Sequence, residues 1–464
     1  MSKEENYKED NKMKKIHLVL LIALFTRMIY FIFPTNLWWD AAVYFSMAKY
    51  IASMRTLGLW EPIRPLLWPL LLSPFSYLTQ LISALFSINI SLEIFGYILT
   101  TLFSLGIIYL TFKIAKKLYG EKIALISSII ISFTWILFFF NARLYTEIPA
   151  TFLSLLALYY FINESYYKTG FFTALAFLTK FPCGLLLPIF LILKPKQYYK
   201  TLILFLLTVT PYLILNYYLY NSPIQIFLIA SETLKHAGIW IFQQPWYFYL
   251  KKITLQNTLY IAAIPGIIIA IKRKHYVLAI IPLAFFLYFT QMLHKETRFL
   301  ILFLPYLSIL ASSALVGLTA ILKKIKFKYL LYIVIIITTI FFAFNFQIEE
   351  HEWNPYYTYL ENKSIEGELL ITHPNVGYYA NSSSSLLYYS WFNFTQADYW
   401  VNYIKETPPG YIAIDTCGGG IICHPEEPEC EIAREQLLQY INETYSLEYY
   451  DKRADCEYFI YHNE

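Results

Sequence analysis

The chain has 464 residues, of which 58% are hydrophobic, 19% aromatic and 15% charged, with a mean hydropathy of +0.46. A soluble globular chain is nearer ~45–50% apolar and ~25% charged, so this composition excludes an ordinary water-soluble enzyme, a disordered chain and a disulfide-rich miniprotein, and leaves a polytopic membrane protein. The net charge of +4 conceals a division: residues 1–347 carry 31 Lys+Arg against 12 Asp+Glu, or +19, and residues 348–464 carry 5 against 20, or −15. Two regions with different surroundings are expected, a membrane region 1–347 and an acidic domain 348–464.

Apolar runs able to cross a bilayer fall at about 16–34, 92–112, 123–141, 145–162, 170–193, 201–220, 253–271, 276–293, 299–321 and 328–347. The run 170–193 reads as a hairpin pair split at Lys180–Pro182, which gives about 11 transmembrane helices. The apolar stretch 65–88, broken by prolines and polar residues, reads as lying in or re-entering the outer interface. With the N-terminus cytoplasmic, the segments expected inside hold 20 basic residues and the short outside loops 10. An odd number of spans then puts the C-terminal domain outside the cell membrane. The first apolar run lacks a small-residue cleavage site and reads as a signal anchor.

Four of the five cysteines, Cys417, Cys423, Cys430 and Cys456, lie after residue 347 and are disulfide candidates in an oxidising compartment. Their neighbour His424 also raises a metal site, but the Cys423–Cys430 spacing matches no common zinc pattern. Four Asn-x-Ser/Thr sequons, at Asn362, Asn381, Asn393 and Asn442, fall in the same region. Short β-like runs at 368–372, 410–415 and 457–461 with a helical stretch near 431–440 predict a small α/β domain. No glycine-rich phosphate loop, His-Glu-x-x-His motif or nucleic-acid signature occurs, so nucleic acid is not an expected partner.

Carboxylates are scarce between residues 11 and 347, and six of the eight, Asp40, Glu61, Glu93, Glu147, Glu232 and Glu296, fall on or near the side expected to be outer. The outer loop 35–65 carries an amphipathic helix in which Asp40, Tyr44, Ala48 and Ile51 share a face. Asp40 fits a helix cap as well as a catalytic acid. Glu147 fits either an i,i+4 pair with Arg143 or a site residue. Lys180 at a hairpin tip is either a snorkelling lysine or a phosphate ligand, and Arg298 at the start of a span either an anchor or a second phosphate ligand. Trp246 and Tyr247 belong to an aromatic cluster suited to a membrane interface or to stacking on a substrate.

In order, Trp39-Asp40-x-x-x-Tyr44, Arg64-Pro65-Leu-Leu-Trp-Pro69, Arg143…Glu147, the Gly170…Leu-Thr-Lys180 hairpin, Pro245-Trp246-Tyr247 and Arg298-Phe…Pro305 resemble the GT-C integral membrane glycosyltransferases, nearest the protein mannosyltransferase-like and aminoarabinose transferase-like group. Ala41 follows Asp40 where that group often reads Asp-Glu. The resemblance implies a GT-C-like helical membrane fold and inverting transfer of a sugar from a polyprenyl (dolichyl) phosphate donor to a protein, lipid or glycan acceptor on the outer face, among membrane lipids. It makes Asp40 the general base and Glu147 a second acid. Lys180 and Arg298 become ligands of the lipid phosphate, with Tyr44, Arg64, Arg143, Trp246 and Tyr247 in the substrate site. No cofactor is expected, and a divalent metal stays open. The competing expectations are a multi-pass transporter or flippase, which would gather its ionisable groups at the bilayer midplane, and a structural membrane protein with a folded ectodomain.

Overall fold

The computed structural model describes residues 3–32, 37–236, 242–321, 333–341, 354–387, 397–416 and 428–463. The chain is mostly helical and divides into two compact units that interleave along the sequence. The first unit comprises residues 1–35, 96–215 and 243–350; the second comprises 36–95, 216–242 and 351–464.

Among the described residues three helices are long and apolar enough to cross a bilayer, Leu67–Phe86, Leu92–Tyr119 and Pro195–Tyr220. Two more apolar stretches are bent pairs: Glu121–Ser132 with Trp135–Ala142 at 50°, and Phe248–Gln256 with Thr258–Lys272 at 118°. Four shorter apolar helices cover Glu147–Ile162, Phe181–Leu193, Tyr276–Gln291 and Leu304–Thr319. The stretch 65–88, expected to lie in or re-enter the outer interface, contains a continuous 20-residue helix, Leu67–Phe86, with Pro74 inside it. Pro69 falls in the first turn, where its missing N–H would have no intrahelical partner, and Pro74 lies seven positions after Leu67, inside the helix. The run 253–271 is not one straight rod. It breaks at Asn257, which is extended (φ −171°, ψ 122°) and whose side chain accepts from the Leu259 amide.

In the first unit two glycines set helix spacing. A Cβ at Gly170 would meet the Thr201 carbonyl oxygen at 2.1 Å, and one at Gly266 the Leu310 carbonyl oxygen at 2.1 Å. Backbone approaches this close are how helices associate where no water drives them together. The Lys180–Pro182 split is present: the helix Tyr166–Thr179 ends, Lys180 takes an extended conformation (φ −155°, ψ 112°), and a short 3-10 turn Phe181–Leu185 follows with Pro182 in its first positions.

The second unit holds one six-stranded sheet of β1 (Gly58–Leu59), β2 (Leu369–Ile371), β3 (Ser383–Leu386), β4 (Tyr411–Asp415), β5 (Ser446–Arg453) and β6 (Cys456–His462), in the order β1-β3-β2-β4-β6-β5. The pairs β1/β3, β3/β2 and β2/β4 are parallel, and β4/β6 and β6/β5 are antiparallel. The three expected strands appear as β2, β4 and β6, and the expected helix as Pro428–Thr444. Leu370, Ile412 and Ile414 pack with Leu437 and Ile441 of that helix and Ile404 of the helix Ala397–Glu406 in a buried core. The edge strand β1 comes from the first loop and pairs Gly58 with Ser383 and Leu59 with Ser384. Cys430 and Cys456 are each disulfide-bonded, whereas Cys417, Cys423 and His424 lie outside the described residues, as does Asn393.

Gly266→Ala is expected to lower the stability of the detergent-solubilised protein by roughly 1–3 kcal/mol, because the added methyl group meets backbone rather than a movable side chain. Gly317→Ala, whose nearest neighbour would be Ile269 Cδ1 at 3.8 Å, is expected to be close to neutral. Thermal unfolding midpoints of the two variants check this.

Candidate active site

The first loop folds as the helix Trp39–Ala52, capped at its N-terminus by Trp38 with no side-chain hydrogen bond. Asp40 is therefore in the first turn and is not the cap. Its carboxylate pairs instead with Arg64, Nη2 to Oδ1 at 2.9 Å, while Arg64 Nε binds Glu61 Oε2 at 2.8 Å. The same guanidinium lies 5.7 Å from the Tyr44 ring centre. One arginine is thus held by two carboxylates and one aromatic ring, with Glu61 buried and Asp40 and Arg64 about 15% exposed. Amphipathicity is not what the helix shows: every residue from Ala41 to Ala48 is buried. The cover comes from the C-terminal region, where Lys49 Nζ donates to the carbonyls of Tyr378 at 2.5 Å and Ala380 at 3.3 Å, and Phe45 meets Tyr378 edge to face. His373 meets Trp39 edge to face at 5.0 Å, and its Nδ1 accepts from the Asn375 amide at 3.1 Å.

The first unit holds a second cluster. Leu144, with φ +60°, interrupts the chain between the helices Trp135–Ala142 and Glu147–Ile162, so Arg143 and Glu147 are not an i,i+4 pair on one helix. Arg143 caps the first of these helices, is buried, and lies over the Phe139 ring at 4.6 Å. Glu147, fully buried at the start of the second helix, takes Lys180 Nζ on Oε1 at 2.7 Å and Arg298 Nε on the same oxygen at 3.4 Å. Its other oxygen, Oε2, is buried without a hydrogen-bond partner among the described residues. Arg298 also binds Glu296, whose Oε1 accepts from His294 Nε2 at 2.6 Å.

Aromatic rings wall the two cations. Arg298 lies 4.6 Å from the Tyr145 ring centre, and Lys180 lies 5.0 Å from that of Phe299. Phe299 stacks on Phe289 at 4.8 Å, which fixes the 3-10 turn Thr297–Leu302 against the helix Tyr276–Gln291. An antiparallel bridge between Gln243 and His294 ties in the loop that precedes Trp246 and Tyr247. Those two rings meet edge to face at 5.8 Å and are exposed. Charges buried to this degree are tolerated when paired and are costly when one partner is removed.

The structure therefore gathers Glu147, Lys180 and Arg298 in one unit and Asp40, Tyr44 and Arg64 in the other. Sequence reasoning assigned no role to Glu61 and Glu296. Their spacing from Arg64 (i,i+3) and Arg298 (i,i+2) was the available signal. Tyr145 and Phe299 carried no signal beyond their adjacency to charged residues. Among the described residues no three His, Cys, Asp or Glu side chains gather as a metal site.

The fold is that of the GT-C membrane glycosyltransferases. In fold the chain is similar to ArnT from Cupriavidus metallidurans in the apo state, at 11% identity with a TM-score of 0.63, covering 96% of this chain and 97% of that one. ArnT bound to undecaprenyl phosphate matches equally, at 12% identity and TM-score 0.63. The archaeal oligosaccharyltransferase AglB from Archaeoglobus fulgidus, solved with an inhibitory peptide and a dolichol-phosphate, matches at 12% identity and TM-score 0.58, covering 98% of this chain and 74% of that one. No curated protein matches the chain. The chain belongs to the Alg9-like mannosyltransferase family, whose model matches residues 59–361. It is a glycosyltransferase, and the transporter and structural-protein expectations fall away.

Burial holds the His373 imidazole well below its ordinary value of 6.5, at about 4. Between those pH values the unfolded chain takes up a proton that the folded chain refuses, so stability falls as pH falls from 6.5 to 4. The thermal midpoint is expected to drop over that range, and His373→Asn, which keeps a side-chain acceptor for the Asn375 amide, is expected to flatten the dependence. A thermal-shift series from pH 7 to 4 on both proteins measures it.

Proposed function

We propose that the protein transfers a sugar from a polyprenyl (dolichyl) phosphate donor to an acceptor hydroxyl on the outer face of the membrane, with inversion at the anomeric carbon. The observation that carries this reading is the convergence of Lys180 and Arg298 on buried Glu147. As the bond from the sugar C1 to the phosphate oxygen breaks, the lipid phosphate gains negative charge, and a preorganised pair of cations is what stabilises it. The ammonium supplies a point charge with three donors and the guanidinium a planar fork. Glu147 holds both cations in place in the absence of substrate. Its unpartnered Oε2 is free to take a hydrogen bond from a sugar hydroxyl.

Asp40 is assigned as the base that accepts the acceptor hydroxyl's proton while the acceptor oxygen bonds to C1. Arg64 orients the Asp40 carboxylate, and Tyr44 packs against the guanidinium. Arg143, Trp246 and Tyr247 are assigned to substrate contacts, the two exposed rings to sugar or isoprene faces. The charge pattern of the loops, the disulfide-bonded Cys430 and Cys456 and the sequons support an extracytoplasmic C-terminal region 348–464 with the N-terminus inside.

Membranes carrying the protein, supplied with a dolichyl-phosphate hexose and acceptor, are expected to lose on the order of 10²–10⁴-fold in transfer on Asp40→Asn and roughly 10²–10³-fold on Arg298→Ala. Full transfer by Asp40→Asn removes it from the mechanism. Glu147→Gln keeps shape but withdraws the charge between the two cations; transfer is expected to fall while the folded protein persists in size-exclusion chromatography. Arg298→Ala that leaves transfer unchanged, or an unmodified protein inert toward every lipid-phosphate sugar, overturns the reading.

A further inference from the structure

Three of the four Asn-x-Ser/Thr sequons fall on described residues of the second unit, and the fold holds each of them differently. Asn442-Glu443-Thr444 is the last turn of the helix Pro428–Thr444, and Asn442 Oδ1 accepts from Tyr461 Oη at 2.7 Å. Asn381-Ser382-Ser383 runs into the sheet. Ser383 pairs with Gly58 across β1/β3, and the Ser382 carbonyl accepts from the Gly58 amide at 3.0 Å. Asn362-Lys363-Ser364 is held in neither way. Asn362 ends the helix Pro355–Asn362, Lys363 is extended (φ −84°, ψ 129°), and residues 363–368 belong to no helix or strand. Asn362 and Ser364 are both exposed, while Lys363 between them turns to Glu448 on β5 in an ion pair. Successive side chains of an extended segment face opposite ways, so tethering the lysine turns the serine hydroxyl outward.

We propose that Asn362 is an N-glycosylation site of this chain, modified by a separate oligosaccharide-transferring enzyme. That reaction needs a surface segment that can enter another protein's site with the asparagine amide and the hydroxyl two positions on both reachable. Of the three described sequons, only Asn362-Lys363-Ser364 offers both from a segment outside helix and sheet. In the step, Asn362 Nδ2 bonds to C1 of a lipid-phosphate-linked oligosaccharide and gives up one proton. The bond from C1 to the phosphate oxygen breaks, and the lipid phosphate leaves. Nδ2 donates to the Thr358 carbonyl at 2.9 Å through one of its two hydrogens, so the other is exchanged and the helix end stays tied. Room for the product is present, because beside Asn362 lies an open cleft of about 500 Å3 bordered by Pro355, Tyr359 and Tyr449. Those two tyrosine rings pack on each other at 4.8 Å, so the attached glycan meets a fixed wall. The proposal rests on the outer placement of region 348–464, which the loop charges and the disulfide-bonded Cys430 and Cys456 support without the sequons. It makes the protein a substrate of glycan transfer as well as a catalyst of it.

The test is glycosylation mapping on the full-length chain, synthesised in the presence of endoplasmic-reticulum microsomes. A control sequon is carried on a Gly/Ser-rich tail appended after Glu464. An endoglycosidase-sensitive mobility step is expected from Asn362, with a separate step from the control. Asn362→Gln and Ser364→Ala are each expected to abolish the first step, and Ser364→Thr to keep it. Ser364→Ala leaves the asparagine and its hydrogen bond in place, so its effect reads sequon chemistry rather than folding. Mass spectrometry of the chymotryptic peptide 361–369 identifies the attached sugar. A modified control beside an unmodified Asn362 overturns the site, as does modification confined to Asn381 or Asn442. A control and an Asn362 that both stay unmodified overturn the outer placement, and the site falls with it.

Discussion

A carboxylate with no exposed surface, at the start of an apolar helix, has to be paired or it is not ionised there at all. Glu147 meets that condition by drawing in Lys180 and Arg298 from two other segments of the first unit. Much of the local structure follows from that demand. The helix Tyr166–Thr179 stops so that Lys180 can stand extended, and Thr297–Leu302 winds as a tight turn that brings Arg298 beneath Tyr145. Stacked Phe289 and Phe299 keep water from diluting the interaction. The arrangement resembles what a departing phosphate needs because both problems, a buried anion and a developing one, have the same solution.

The second unit solves a different problem with the same economy of charge. Its arginine, Arg64, is shared between Asp40 and Glu61, and the helix bearing Asp40 is buried by residues that lie more than three hundred positions away in sequence. Burial of Ser46 and Lys49 against the carbonyls of Pro374, Tyr378 and Ala380 means that the first loop is part of a folded body rather than an appendage of the membrane region.

Fold class was legible because hydrocarbon imposes a length and a composition, and neither depends on tertiary detail. The tail strands β2, β4 and β6 were legible for a similar reason: Leu369–Ile371 is wholly apolar, and Tyr411–Asp415 and Cys456–His462 are dense in β-branched and aromatic residues. β1 and β3 were not. Two residues and a run of serines carry no periodic signal, and only pairing partners far along the chain make them strands. At the site, residue types pointed to Asp40, Glu147, Lys180 and Arg298. Spacing misled where backbone geometry intervened: a left-handed Leu144 takes Arg143 and Glu147 off a common helix, and an N-cap two positions earlier than expected releases Asp40 from capping. Glu61 and Glu296 stayed without roles because an acid beside an arginine is ordinary until burial shows what it costs.

The edge strand β1 has a consequence for the order in which the protein is made. Gly58 is synthesised early, yet Ser384, which donates to its carbonyl, is synthesised 326 residues later. At translation rates of roughly 5–20 residues per second, the nascent first loop waits on the order of tens of seconds for its partner. Throughout that interval the Asp40 helix lacks its cover. A chain halted before residue 383 therefore leaves that apolar helix without its edge-strand anchor, and β3, not the first loop itself, completes the first loop's fold.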